Sequence, residues 1–106
     1  MRITYILFIC GLVISPLAAQ QPDPHSYKPS NGFVPDSATA VRIAVAVWIP
    51  IYGDSLIMSE QPFVAALKAG VWTVTGTLPR QYNRGGVAMA RIAKHDGRIL
   101  FVKHSQ

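Results

Sequence analysis

The side chains able to do chemistry are few and far apart. The 106 residues carry five carboxylates, three histidines and one cysteine. Asp23 stands among prolines, Asp36 before a run with helical spacing, Asp54 after a glycine, Glu60 ahead of an alternating stretch, and Asp96 beside a glycine. Each position has an ordinary structural use. None falls at an inward strand position where burial would raise a carboxyl pKa toward acid–base work. His25, His95 and His104 are widely separated, and no pair has the spacing that lets two ligands share a metal. The chain has no G-x-S-x-G elbow, phosphate-binding loop or paired-carboxylate constellation. The sequence therefore predicts no catalytic residue, no cofactor site and no metal site.

Recognition chemistry is concentrated in one segment, Pro79-Arg80-Gln81-Tyr82-Asn83-Arg84-Gly85-Gly86. Two arginines flanking a tyrosine are the residue types enriched at binding hot spots, so Arg80, Tyr82 and Arg84 are candidate partner-binding residues. The plainer alternative is a long connection whose glycines let the next strand begin. Its positive charge suits an acidic protein partner. Nucleic acid is not expected, because no aromatic stripe with interleaved basic residues is present to stack bases.

The elements that must position these residues begin after an apolar N-terminus. Met1 to Ala19 read as a secretory signal: Arg2, an uncharged apolar run from Ile3 to Ile14, then Ser15-Pro16 and small residues. Most of the excess in the mean hydropathy of +0.27 comes from this stretch. Cys10 lies within it, so a processed chain has no thiol for disulfides or zinc. A periplasmic or secreted location follows, with membrane attachment only if the signal is uncleaved. Residues 20–31 are rich in proline and polar side chains and read as a flexible linker. Residues 32–104 are left for one small domain.

In that domain Asp36 is placed to cap a helix in which Val41, Ala44, Val45 and Trp48 share a face. Ile43 and Val47 widen the stripe, which predicts a helix largely wrapped by the rest of the protein. Pro50 bends or ends it, and Tyr52-Gly53-Asp54 is a stop signal. The period then becomes two. Phe63, Ala65 and Leu67 alternate with Val64, Ala66 and Lys68; after Ala69-Gly70, Trp72, Val74 and Leu78 alternate with Thr73, Thr75 and Thr77. Val87 to Lys94 and Arg98 to Lys103 flank His95-Asp96-Gly97, where Asp96-Gly97 is a strong hairpin signal. The expected fold is α+β, an N-terminal helix packed against a curved four-stranded antiparallel sheet. Val64, Ala66, Val87 and Met89 then face outward. They form an interface or homodimer patch in this register, and core in a register shifted by one residue.

Gly32-Phe33-Val34-Pro35-Asp36, Trp48-Ile49-Pro50-Ile51-Tyr52-Gly53, Gly70-Val71-Trp72, Gly76-Thr77-Leu78-Pro79, Gly85-Gly86 and Lys94-His95-Asp96-Gly97-Arg98 occur in that order. In these runs the chain resembles bacterial immunity proteins with a nuclear-transport-factor-2-like (cystatin-like) fold, from polymorphic toxin systems. The resemblance implies an exported protein that neutralises a cognate toxin by stoichiometric binding, with no turnover. The matched positions Trp48, Pro50, Tyr52, Gly53, Trp72, Gly76, Pro79, Asp96 and Gly97 read as scaffold. The helix-then-strands order is also similar to exported domains of the peptidase-propeptide type, which would imply binding to a protease or cell-wall enzyme. The helix exit and the long loop fit that family less well. Cone-shaped folds of this kind can also host isomerases. That reading would require a pocket lined by Tyr52 or Tyr82 with a carboxylate at its base.

Overall fold

Asp36 starts the first helix. Its Oδ1 accepts from the Thr39 amide at 2.8 Å, and the hydrogen bonds from Thr39 hold the Asp36 carboxyl below its ordinary pKa. Helix α1 (Ser37–Tyr52) follows in the computed structural model, which describes residues 23–105. The predicted signal, residues 1–19, lies outside the described residues, as do the first residues of the predicted linker.

Ala40, Ala44 and Trp48, four apart, are the buried stripe of α1. Two alanines let the backbone approach the sheet, and Trp48 fills the space beyond them. The predicted wrapping of this helix is corrected here. Val41, Ile43, Val45 and Val47 are only half-buried, while Arg42, Ala46 and Pro50 face solvent. The reason is that α1 packs on one face of the sheet and against the short helix that follows it, and among the described residues no second layer covers its back. The helix also runs through Pro50 to Tyr52, since Ala46, whose carbonyl loses its donor, lies on the solvated side. It stops at Gly53 (φ 95°), whose N–H reaches the Ile49 carbonyl at 2.9 Å. A short helix, α2 (Asp54–Ser59), then occupies a stretch where the sequence reading placed only the approach to a strand.

Four strands follow: β1 (Val64–Lys68), β2 (Val71–Thr75), β3 (Ala88–Ala93) and β4 (Ile99–His104), antiparallel neighbours in chain order. Ala69 and Gly70 both have positive φ, the geometry of a two-residue hairpin turn with matching twist. In the other hairpin Asp96 Oδ1 accepts from the Arg98 amide at 3.0 Å, and Gly97 takes φ 77°. The strands are shorter than the alternation suggested. Leu78 lies beyond β2, and half-buried Val87 lies just before β3.

The register sorts the side chains into rows. Ala65–Val74–Ala90–Val102 and Leu67–Trp72–Ile92–Ile99 face α1. Val64–Thr75–Met89–Lys103, Ala66–Thr73–Arg91–Phe101 and Lys68–Val71–Ala93 face away. Val64, Ala66 and Met89 are therefore on the uncovered face, and the one-residue shift is not the register adopted. Trp48, Val74, Ala88, Ala90, Ile92 and Ile57 make up most of the fully buried core. Trp72 satisfies its indole N–H on the Val34 carbonyl at 2.8 Å. This bond, with Phe33 N–H to His95 O and Val34 N–H to Lys94 O, straps the segment before α1 across the end of β3. Gly32 (φ 81°) has to be glycine, because a Cβ there would overlap the Lys94 carbonyl.

Candidate functional site

The loop between β2 and β3 is pinned at its base and free at its tip. Gly76 N–H donates to the Ala88 carbonyl at 2.9 Å, and Thr77 N–H to the Glu60 carbonyl at 2.7 Å. The Thr77 hydroxyl reaches the Pro62 carbonyl at 2.6 Å. At the other end Gly86 lies so close to Ser105 that any Cβ would overlap that residue's backbone. Between these anchors Arg80, Tyr82 and Arg84 are exposed, and Tyr82 N–H closes a turn onto the Pro79 carbonyl at 3.0 Å.

Beneath the tip is a cavity of about 600 Å³, bounded by Ser55, Leu56 and Ser59 of α2, by Leu78, Tyr82 and Arg84 of the loop, and by His104. Glu60 lies at its base. The sequence reading gave this residue an ordinary structural use without foreseeing its burial: Glu60 is 1 % exposed, the only buried polar or charged side chain among the described residues. Its Oε1 accepts from the Ala88 amide at 2.7 Å, and its Oε2 is 2.8 Å from His104 Nε2. A Cβ on Gly76 would come 2.6 Å from Oε1, so glycine at this position makes room for the carboxylate. Glu60 thus joins the end of α2, the start of the loop, the first residue of β3 and the last residue of β4. His104, read from sequence as a frayed end, is the fourth corner of that junction, with the Tyr52 ring 5.3 Å away. The glycines at 76 and 86 were the available signal, since each marks a close approach.

The geometry asked of an isomerase is met in outline, a cavity lined by Tyr82 with a carboxylate at its base. Its Oε1 is held by a backbone amide and its Oε2 by His104, so the carboxylate ties this junction together. Among the described residues the His104–Glu60 contact is the only close approach of a basic side chain to a carboxylate, which leaves Arg80 and Arg84 without a carboxylate partner. No three His, Cys, Asp or Glu of the described residues gather as a metal site. His95 is exposed in its turn, and His25 is exposed in the leading arm. What the arrangement can do is bind, through two unpaired guanidinium groups and a tyrosine over a partly apolar hollow.

A family model described as NTF2 fold immunity protein matches residues 39–106. The chain belongs to this family. The match runs from the first turn of α1 through every strand, and a helix on a four-stranded antiparallel sheet is consistent with the NTF2-like fold. The chain is also similar to the uncharacterised protein YhhH of Escherichia coli (strain K12), 30% identical over 76 residues. That alignment covers 72% of this chain and 60% of YhhH, so the chain spans less than two thirds of that relative. No solved structure matches.

Within this member of the family the scaffold positions sort by contact. Trp48 is fully buried and stacks, tilted, on Phe63 at 5.7 Å. Trp72 anchors the leading segment, Gly53 ends α1, and Asp96 and Gly97 form the last hairpin. Pro50 and Tyr52 lie in the final turn of α1, and Gly76 and Pro79 lead into the loop. Of the three candidate binding residues, Tyr82 and Arg84 line the cavity, and Arg80 stands outside it.

Proposed function

We propose that this immunity protein is exported and neutralises a cognate toxin by direct stoichiometric binding, with Arg80, Tyr82 and Arg84 among its contacts. The observation that carries the reading is the family match over residues 39–106 in a chain whose loop presents two unpaired arginines on a pinned base. The engaged state of Glu60 supports binding without turnover. Export rests on the apolar character of residues 1–19, and it suggests a toxin that damages the periplasm, wall or membrane. Among the described residues no helix is long and apolar enough to cross a membrane.

The test is growth rescue. A toxin encoded beside this gene is fused to a signal and expressed with this protein, with and without residues 1–19. Protection of the exported toxin only by the chain that keeps residues 1–19 is the expected result. Protection only by the chain that lacks them would contradict export, and protection by neither would contradict immunity to that toxin.

A further inference from the structure

The face of the sheet turned away from α1 carries a composition that the loop does not account for. Its rows hold exposed Val64, Ala66 and Phe101 and half-buried Val71, Met89 and Ala93, with Thr73 and Thr75 near the centre. Val64 is 59 % exposed and Phe101 44 %. One cation stands in each row: Lys103, Arg91 and Lys68. Every aspartate and glutamate of the chain is elsewhere. Asp23 is in the leading arm, Asp36 caps α1, Asp54 opens α2, Glu60 is buried, and Asp96 caps its own turn.

The face is also grooved. The β3–β4 register shifts between Arg91 and Ile92, leaving Leu100 unpaired. Leu100 and Phe101 form one wall of a depression of about 500 Å³, whose other side is Lys68, Val71 and Thr73. The Arg91 guanidinium lies over the Phe101 ring at 5.6 Å, which sets its charge at the edge of the hollow.

We infer that this open sheet face is a protein-docking surface for an acidic partner, which inserts an apolar or aromatic side chain into the groove and sets carboxylates against Lys68, Arg91 and Lys103. The inference rests on the binding reading above and gives it a second, wider surface. Thr75 and Met89, in the row nearest the loop, sit where β2 ends and β3 begins, so one partner can span both. Charge argues against a second copy of this chain, since a two-fold pairing of the face would set the same three cations against themselves with no acid to answer them. A lipid surface fits less well, because a smooth bilayer leaves the hollow empty.

The experiment needs no toxin. The full chain, labelled with ¹⁵N, is titrated with a soluble peptide of glutamates around a single tryptophan, while amide shifts are followed by NMR. The expected shifts fall at Thr73, Arg91 and Phe101. Arg91→Glu and, as a separate variant, Lys68→Glu weaken the peptide by about tenfold or more, and Arg84→Glu leaves those shifts in place. Shifts confined to Tyr82 and Arg84, no shifts at all, or unchanged affinity in both face variants would overturn the inference. So would a concentration-dependent dimer broken by Arg91→Glu, or binding to anionic phosphatidylglycerol vesicles in place of the peptide. Failure of toxin rescue with these shifts present would count against the proposed immunity function and not against the surface.

Discussion

Replacing Glu60 by alanine removes the acceptor of the buried Ala88 amide and the partner of His104 in one step. An orphaned buried donor costs about 1–3 kcal/mol, and the lost contact to the partly exposed His104 adds about 0.5–1.5 kcal/mol. About 2–3 kcal/mol is expected in all, because the adjoining cavity lets water reach the site. For a domain of this size each kcal/mol lowers Tm by about 4–8 °C, so the variant melts about 8–24 °C lower. Glu60→Gln keeps one oxygen for Ala88, and its amide N–H can donate to the imidazole, so about 1 kcal/mol is lost. His104→Ala falls between, at about 1–2 kcal/mol, since its side chain is 17% exposed and water replaces it. Urea unfolding of the three variants and the Glu60–His104 double variant, followed by circular dichroism, measures these values and their coupling. A loss under about 1 kcal/mol for Glu60→Ala, or single losses that simply add, would refute the junction described here.

Three further outcomes are expected. Trp48→Ala empties the centre of the core and costs about 3–5 kcal/mol, while Trp72→Phe, which mainly deprives the Val34 carbonyl of its donor, costs about 1–2 kcal/mol; both are read by urea unfolding. Gly86→Ala displaces Ser105 and with it the end of β4, so its Tm falls and amide exchange at His104 rises; an unchanged Tm would contradict the close approach. Because the folded-state pKa of Asp36 lies below its unfolded value, its cap contributes stability above the ordinary carboxylate pKa and loses it as pH falls through the folded value. Wild type should thus lose more stability than Asp36→Asn between neutral and acid pH, and parallel curves would contradict the cap.

What could be read in the sequence was local. Asp36 before a helical period, Ala69-Gly70 and Asp96-Gly97 each act within a few residues, and all sit where their chemistry placed them. The outward set Val64, Ala66 and Met89 followed from the alternation once the turns held the register. What escaped was short or distant. Helix α2 has six residues, too few for a second turn to show a period. Glu60 and His104 are 44 residues apart, and they meet only because the β3–β4 register sets His104 opposite Ala88. The half-open state of α1 depends on how many layers the fold builds, a global property that an apolar stripe does not report. The loop residues were visible as a type, but the pinned base and the cavity beneath them come from close approaches at Gly76 and Gly86.

The central claim is direct neutralisation, and titration calorimetry against the toxin encoded beside this gene tests it most directly. One-to-one binding is predicted, weakened when Arg80 and Arg84 are both changed to alanine, with toxin activity lost in proportion to the complex formed. No heat of binding, or full protection at far less than one equivalent with the toxin covalently altered, would contradict it.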